Sequence, residues 1–475
     1  MATALVVAMG LVAWRVVDAV TGPSKAPRGS GSGKPNLIVI LTDDQRWDSL
    51  AVMPNVRRLL AGHGVTFESS FVTTALCCPS RASLLTGLYS RHTGVYGNVP
   101  PDGGATAFED RSTLAVWLHG AGYRTALIGK YLNDYQRLGQ TYIPPGWDHW
   151  VTIAQRRQIK FYQYVLNEDG KLARYGRQPR DYSTTVLSQK ANDFVKEAAE
   201  PFFLYVTPIS PHIPATPAPQ DMGKVSPLPP FDPPSLNEAN VHDKPWGGGY
   251  PVLGSEDLQS LATLRERTLE SLLSVDRLVG TLVATLEEKG VLDRTVVLFT
   301  SDNGLLLGEH RLRTKVWPYE ESIRVPLVVR TPWAQAGSTD RHLVLNIDIA
   351  PTLADLAGVI PPVPVDGQSF AGLLRGRSPP GGWRTAFVVE YLAGARSREL
   401  PPSFEAVRTE RYLYVKYENG WRELYDLAKD PHELTSRADD PSFQRIRHTL
   451  ESRLQELLAS GPDAGTPTEA SPTAS

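Results

Sequence analysis

The sequence predicts an α/β fold: a large, mostly parallel sheet sandwiched by helices, then a smaller C-terminal antiparallel sheet with a covering helix. Two observations carry this. Four apolar runs of strand length recur between residues 36 and 300, with amphipathic helical segments between them, the alternation that builds parallel sheets. After about Asp366 the runs become short strands at hairpin-like spacing, closed by a last amphipathic helix.

Taken in order, residues 2–14 are a short apolar run, interrupted afterwards by Arg15 and Asp18. The run is too short for a spanning helix. We read residues 1–21 as a secretory signal or short anchor, which places the protein outside the cell or at its surface. Residues 22–34, rich in Gly, Ser, Pro and Lys, read as a flexible tether.

The apolar runs are 36–42, 123–128, 202–207 and 295–300. Near-continuous apolar character suits strands buried on both faces. Each is followed closely by polar residues: Asp43-Asp44, Gly129-Lys130, Pro211-His212 and Ser301-Asp302-Asn303-Gly304. In open α/β sheets ligands bind at the carboxyl ends of strands, so these four endings should converge on one edge. The intervening helices are expected at 55–63, 114–120, 184–199 and 258–290. Residues 324–330 and 342–347 read as further strands, and 350–357 as a helix closed by Gly358. The Pro-rich passage 211–251 has little periodicity; it reads equally as a wrap around the site's mouth, together with Asn98 and Asp134, or as a surface excursion.

The smaller sheet is expected from 388–391, 406–408, 412–417 and 423–427, with Asn419-Gly420 as a turn, and the closing helix at 443–459. The chain thus divides into a catalytic domain at 35–365 and a C-terminal subdomain at 366–460. Residues 461–475, rich in Pro, Thr, Ser and Ala, read as a disordered tail. A net charge of −2 gives no global field for nucleic acid, so anion recognition must be local.

Asp43, Asp44, Asp302 and Asn303 are hard oxygen donors, a set that suits Ca²⁺ or Mg²⁺ and disfavours zinc or copper. The two cysteines, Cys77 and Cys78, are adjacent and offer no disulfide framework. Pro79 and Ser80 read as the opening of a helix. Cys77 would then lie just before its N-terminus, where exposed N–H groups favour anions. Arg81, one turn in, is a planar cation suited to a tetrahedral anion.

The run Cys77-Cys78-Pro79-Ser80-Arg81, closed by Leu85-Thr86-Gly87, resembles the signature of the type I sulfatases. Its Cys-Cys-Pro-Ser-Arg-Ala-Ser form is most similar to the N-acetylglucosamine-6-sulfatase branch. Glu423-Leu424-Tyr425-Asp426-Leu427 with Asp430-Pro431 and Glu433 extends the resemblance through a sulfatase C-terminal subdomain. The resemblance implies an alkaline-phosphatase-like fold and hydrolysis of a sulfate monoester, expected on a sulfated sugar such as N-acetylglucosamine 6-sulfate. It implies that a formylglycine-generating maturation enzyme oxidises Cys77 to Cα-formylglycine (3-oxoalanine). An oxygen of that group, with Asp43, Asp44, Asp302 and Asn303, would hold calcium. Arg81, Lys130 and Lys315 would clamp the sulfate, and His212, with Lys315 sharing the role, would protonate the departing alcohol. Hydrated formylglycine carries two hydroxyls: one attacks sulfur, and loss of the other's proton releases sulfate and restores the aldehyde.

Many sulfatases carry His where this chain has Leu132, two residues after Lys130. That leaves Asn133, His310 and water as candidate bases for the second hydroxyl. Two other readings stay open on the same residues: a phosphate or phosphonate ester hydrolase, and an inactive carbohydrate-binding relative whose Cys77 is never oxidised.

Overall fold

The computed structural model describes residues 33–155, 159–228, 230–245, 249–377, 381–393 and 400–462. The expected signal or anchor at 1–21, the tether up to residue 32 and the tail from 463 lie outside them.

Ten strands form the large sheet, in the order Ser338–Asp340, Gly64–Phe67, Leu327–Arg330, Thr295–Ser301, Asn36–Thr42, Phe202–Thr207, Arg124–Gly129, His149–Ile153, Val165–Glu168, Lys171–Arg174. The four apolar runs are adjacent and parallel at its centre, in registers such as Leu37↔Phe203, Val39↔Leu298 and Ala126↔Leu204. Their polar endings therefore emerge along one edge.

Side chains alternate across the sheet. Leu37, Val39 and Leu41 pack under the helices Cys77–Thr86, Leu114–Gly120 and Ile349–Leu356. Ile38 and Ile40 pack under Ser183–Glu197 and the 34-residue helix Ser255–Glu288. Burying each such side chain contributes about 1.5–3 kcal/mol, which sets the sheet as the rigid support for whatever its edge carries.

The smaller sheet is an antiparallel meander of Ala386–Tyr391, Phe404–Thr409, Tyr412–Tyr417 and Arg422–Asp426. Gly420 turns at φ +89° before the last strand, the left-handed conformation that an Asn-Gly turn needs. Leu450 and Leu454 of the helix Gln444–Ala459 share a core with Val388, Val407 and Leu413, and with Phe71 and Leu306 of the larger unit.

Several expectations need correction. Residues 55–63 are helical as expected but not a regular α-helix: Val56–Leu60 is a π-helix and Ala61–His63 a 3₁₀ turn, with the Asp276 carboxylate taking the N–H groups of Asn55 and Val56 at 3.1 and 2.9 Å. The strand expected at 324–330 shortens to Leu327–Arg330, because Pro326 has no N–H to give a ladder. Residues 342–347 yield only Val344–Leu345, paired with Ser70–Phe71 outside the large sheet. The Asp348 carboxylate takes the Leu345 N–H at 2.8 Å and starts a helical turn there.

Candidate active site

The helix Cys77–Thr86 begins at Cys77 itself, with extended Leu76 before it. Expectation placed Cys77 outside the helix and Pro79 at its first position; Pro79 is instead the third residue. It fits because the first turn's N–H groups have no intrahelical partner, so a missing one costs nothing. Asn98 Oδ1 takes the Cys78 N–H at 2.9 Å, and the positive end of the helix dipole faces the edge of the sheet. Every residue of this helix is buried.

Two backbone features shape the strand endings. Asp44 leaves its strand at φ +67°, a left-handed conformation that Asp tolerates better than most residues. Gly129, at φ +132°, runs so close to Thr207 that a Cβ would lie 2.1 Å from its carbonyl oxygen. Only glycine fits there, and the next residue is Lys130, whose N–H bonds that same carbonyl at 2.8 Å.

The predicted residues meet. Lys315 Nζ lies 2.8 Å from Cys77 Sγ and also pairs with Asp44 Oδ1. Cys77 Sγ is 3.5 Å from Asp43 Oδ1. Lys130 Nζ reaches Asp43 Oδ2 at 2.8 Å. Arg81 donates from Nε to Asp302 Oδ2 at 2.7 Å and from Nη1 to the Lys130 carbonyl at 2.9 Å. Asp302 Oδ1 accepts the Asp44 N–H at 3.1 Å, and Asn303 Nδ2 donates to Asp44 Oδ1 at 2.7 Å. His212 Nε2 stands 3.4 Å from Asp44 Oδ2, while its Nδ1 faces the Ile213 carbonyl at 2.7 Å. That carbonyl can only accept, so Nδ1 carries a proton.

Three carboxylates thus face three permanent cations in a dry setting. Burial alone would raise Asp43, but Lys130, His212 and Arg81 override it and hold the carboxyl well below its usual range. Asp44 is also lowered against burial, by Lys315 and His212. Burial opposes the charge on Lys315, yet Asp44 and Cys77 raise it well above its ordinary value. His212 is raised to about 9, with Asp44 and Asp43 outweighing burial. Burial pushes the Cys78 thiol up to about 12, so Cys78 remains an inert thiol packed in the core.

The donor set fits a hard cation. Asn303 Oδ1 is buried without a hydrogen-bond partner, beside Asp43 and Asp44, whose ligand atoms lie within 4.8 Å of those of Cys77 and His212. An orphaned amide oxygen next to ionised carboxylates is the surrounding a divalent cation satisfies.

His310 is engaged elsewhere, paired with Glu238 at 2.7 Å. The Asn133 backbone carbonyl accepts the Ala105 N–H at 2.7 Å, and its side-chain Oδ1 is buried without a hydrogen-bond partner. Asp134 is paired with Arg137 at 2.8 Å. Sequence reasoning missed the supports behind the site. Gln45 donates its N–H to Ser301 Oγ at 2.9 Å and accepts from Thr42 Oγ1 at 2.7 Å. Arg46 bridges the Leu305 carbonyl and Glu309 at 2.8 and 2.7 Å. Their one sequence signal is adjacency to the Asp43-Asp44 pair.

The fold and this edge define a hydrolase of the alkaline-phosphatase-like architecture. The sulfatase family pattern matches residues 35–359, and a second pattern, the C-terminal region of N-sulphoglucosamine sulphohydrolase, matches 308–460. The chain belongs to the sulfatase family. It is 34% identical to N-acetylglucosamine-6-sulfatase of the goat Capra hircus, over 92% of this chain and 86% of that one. It is 31% identical to an arylsulfatase of Volvox carteri, over 90% and 74%. Among solved structures, a protein in complex with its substrate D-glucosamine-2-N,6-O-disulfate matches at TM-score 0.76 and 26% identity, covering 89% of this chain and 97% of that one. The phosphonate monoester hydrolase of Agrobacterium radiobacter matches at TM-score 0.74 and 25% identity, covering 90% and 96%.

Proposed function

We propose that this sulfatase hydrolyses the 6-sulfate of an N-acetylglucosamine-type sugar, through a formylglycine that a maturation enzyme makes from Cys77. The observation that carries the reading is Cys77 Sγ held between Lys315 Nζ at 2.8 Å and Asp43 Oδ1 at 3.5 Å, at the first residue of a buried helix. The sulfur stands where the aldehyde oxygen would be. The amino-sugar substrate is supported by the goat relative, an N-acetylglucosamine-6-sulfatase, and by the disulfated glucosamine bound to the similar solved structure.

In this reading Asp43, Asp44, Asp302 and Asn303, through its free Oδ1, hold Ca²⁺, with Mg²⁺ as the alternative. The bound cation would draw negative charge from the sulfate oxygens. With Asp43 and Asp44 engaged as ligands, Lys130 and Lys315 would be available to bind the sulfate oxygens, while Arg81 is held on Asp302. Hydrated formylglycine supplies one hydroxyl for attack and a second for release. His212, protonated on Nε2, gives its proton to the departing sugar oxygen. From the apolar run at 2–14 we also propose action outside the cell or at its surface.

The test is turnover on a panel of N-acetylglucosamine 6-sulfate, other sulfated monosaccharides and glycosaminoglycan fragments. Highest kcat/KM on the 6-sulfated amino sugar supports the assignment; equal rates across sulfate positions sink it. The likeness to a phosphonate monoester hydrolase favours one rival, because phosphonate and sulfate esters share tetrahedral geometry. Higher kcat/KM on an aryl phosphonate than on the matching aryl sulfate would establish it.

A further inference from the structure

The segment that carries Lys315 is bracketed by a second set of buried groups. His310 stands before it and Glu321 after it, and Glu433 joins them from beyond the last strand of the smaller sheet. One ligand atom from each lies within 4.8 Å of the others. His310 and Glu433 are wholly buried and Glu321 is 8% exposed. His310 Nε2, Glu321 Oε2 and Glu433 Oε1 are all buried without a hydrogen-bond partner. Three such orphans in one place call for an occupant.

The nearby cations make their ion pairs with other carboxylates, although Arg46 still acts on Glu321 and Arg408, its Nη1 unpartnered, acts on Glu433. Arg46 pairs with Glu309 at 2.7 Å, Arg408 with Glu320 at 2.8 Å and Lys244 with Glu238 at 3.0 Å. Glu423 accepts from Tyr319, Tyr417 and Tyr425 at 2.8, 2.6 and 2.5 Å. Among the described residues no direct ion pair reaches Glu321 or Glu433, and two buried carboxylates without a contacting cation are costly. Burial, with Glu309 beside it, pushes Glu321 up to about 8. Burial likewise raises Glu433 well above the usual carboxylate range.

His310 is set up as a ligand. Its Nδ1 lies 2.7 Å from Glu238 Oε2, so the ring donates there and presents an unprotonated Nε2 to the two glutamates. A carboxylate behind a histidine fixes tautomer and aim in this way at many metal centres.

We propose that His310 Nε2, Glu321 and Glu433 form a second cation site for a divalent transition metal such as Zn²⁺, which pins the Lys315 segment to the C-terminal sheet. One imidazole nitrogen and two carboxylate oxygens suit zinc better than calcium, which takes six to eight oxygens. Two negative charges match a divalent ion. The pinned segment needs holding: Val316, next to Lys315, is β-branched yet sits at φ +74°. That conformation persists only where its surroundings enforce it. The site stands independently of the substrate assigned above.

The test uses the whole chain, stripped with chelator and dialysed against Zn²⁺ in excess Ca²⁺, with bound metal counted by plasma mass spectrometry. One zinc per chain is expected in the native sequence and in Asp302→Ala, which disables only the other cluster. Occupancy should fall about tenfold or more in Glu433→Gln, Glu321→Gln and His310→Gln. Co²⁺ alone should give a visible absorption band that the same variants lose. If one variant fails to fold, the other two and the native stoichiometry still decide. A native chain without bound zinc, its carboxyls sharing a proton instead, overturns the proposal. Zinc retained in all three variants overturns it too.

Discussion

Lys315 Nζ rests 2.8 Å from Cys77 Sγ although 238 residues separate the two in the chain. The same ammonium pairs with Asp44, so one side chain touches both the cysteine and the carboxylate cluster. Replacing Lys315 with Ala should lower kcat by about a hundredfold or more, the usual loss when one charge-stabilising donor is removed. Steady-state kinetics on a sulfate ester check this; a variant within threefold of the native rate would remove Lys315 from the chemistry.

Cys77→Ser should keep the fold, since the side chain is nearly isosteric, while kcat falls at least about a thousandfold. An unchanged melting temperature with lost turnover is the expected pair of results. In the active native protein, the peptide bearing Cys77 should weigh about 18 Da less than its thiol form. Multiple turnovers by the serine variant would contradict the assigned nucleophile.

Asp302 binds Arg81 Nε at 2.7 Å and the Asp44 N–H at 3.1 Å. Asp302→Ala should weaken calcium binding by about a hundredfold or more, because it removes a ligand and loosens the loop that carries another. Calorimetric titration of the purified chain reads this directly. Equal affinity in the two proteins would exclude Asp302.

His212 is raised to about 9 by Asp44 and Asp43 against the pull of burial. Its folded value exceeds the unfolded value near 6.5, so its charge stabilises the protein fully below about pH 6.5 and ceases to do so as pH rises through about 9. As proton donor it should give kcat/KM a falling limb on the basic side. Calcium on Asp43 and Asp44 offsets their charge and should draw that limb lower. His212→Gln should abolish the limb; a limb that survives belongs to another group.

Gly129→Ala should destabilise the fold by more than about 2 kcal/mol, because φ +132° is strained for alanine and the new Cβ meets the Thr207 carbonyl at 2.1 Å. A lower urea midpoint with unchanged slope is the expected signature. Unaltered stability would mean that the strands separate easily there.

How much of this was legible in the sequence depends on range. Asn36–Thr42 and Phe202–Thr207 match their apolar runs residue for residue, since strands buried on both faces leave a local signal. Gly64–Phe67 and the hairpin of Val165–Glu168 with Lys171–Arg174 were not read. The first is only four residues long, and the hairpin has mixed polarity, although Asp169-Gly170 between its strands is a turn signal. At the site, residue types and strand ends pointed to Asp43, Asp302 and their neighbours. Nothing local could show that Asn98 receives the Cys78 N–H or that Glu433 lies beside His310, because such pairings exist only after folding.

Cys77 is only 1% exposed, and much of what encloses it, Asp302 and Lys315 included, is synthesised long after it. The oxidising enzyme proposed above, which would have to grip this thiol, would therefore have to act while the chain is still open. At about 5–20 residues per second, the 238 residues from Cys77 to Lys315 take roughly ten to fifty seconds to emerge. Under that proposal, closure around the cysteine faster than synthesis of these later segments would leave an unconverted thiol sealed in the core.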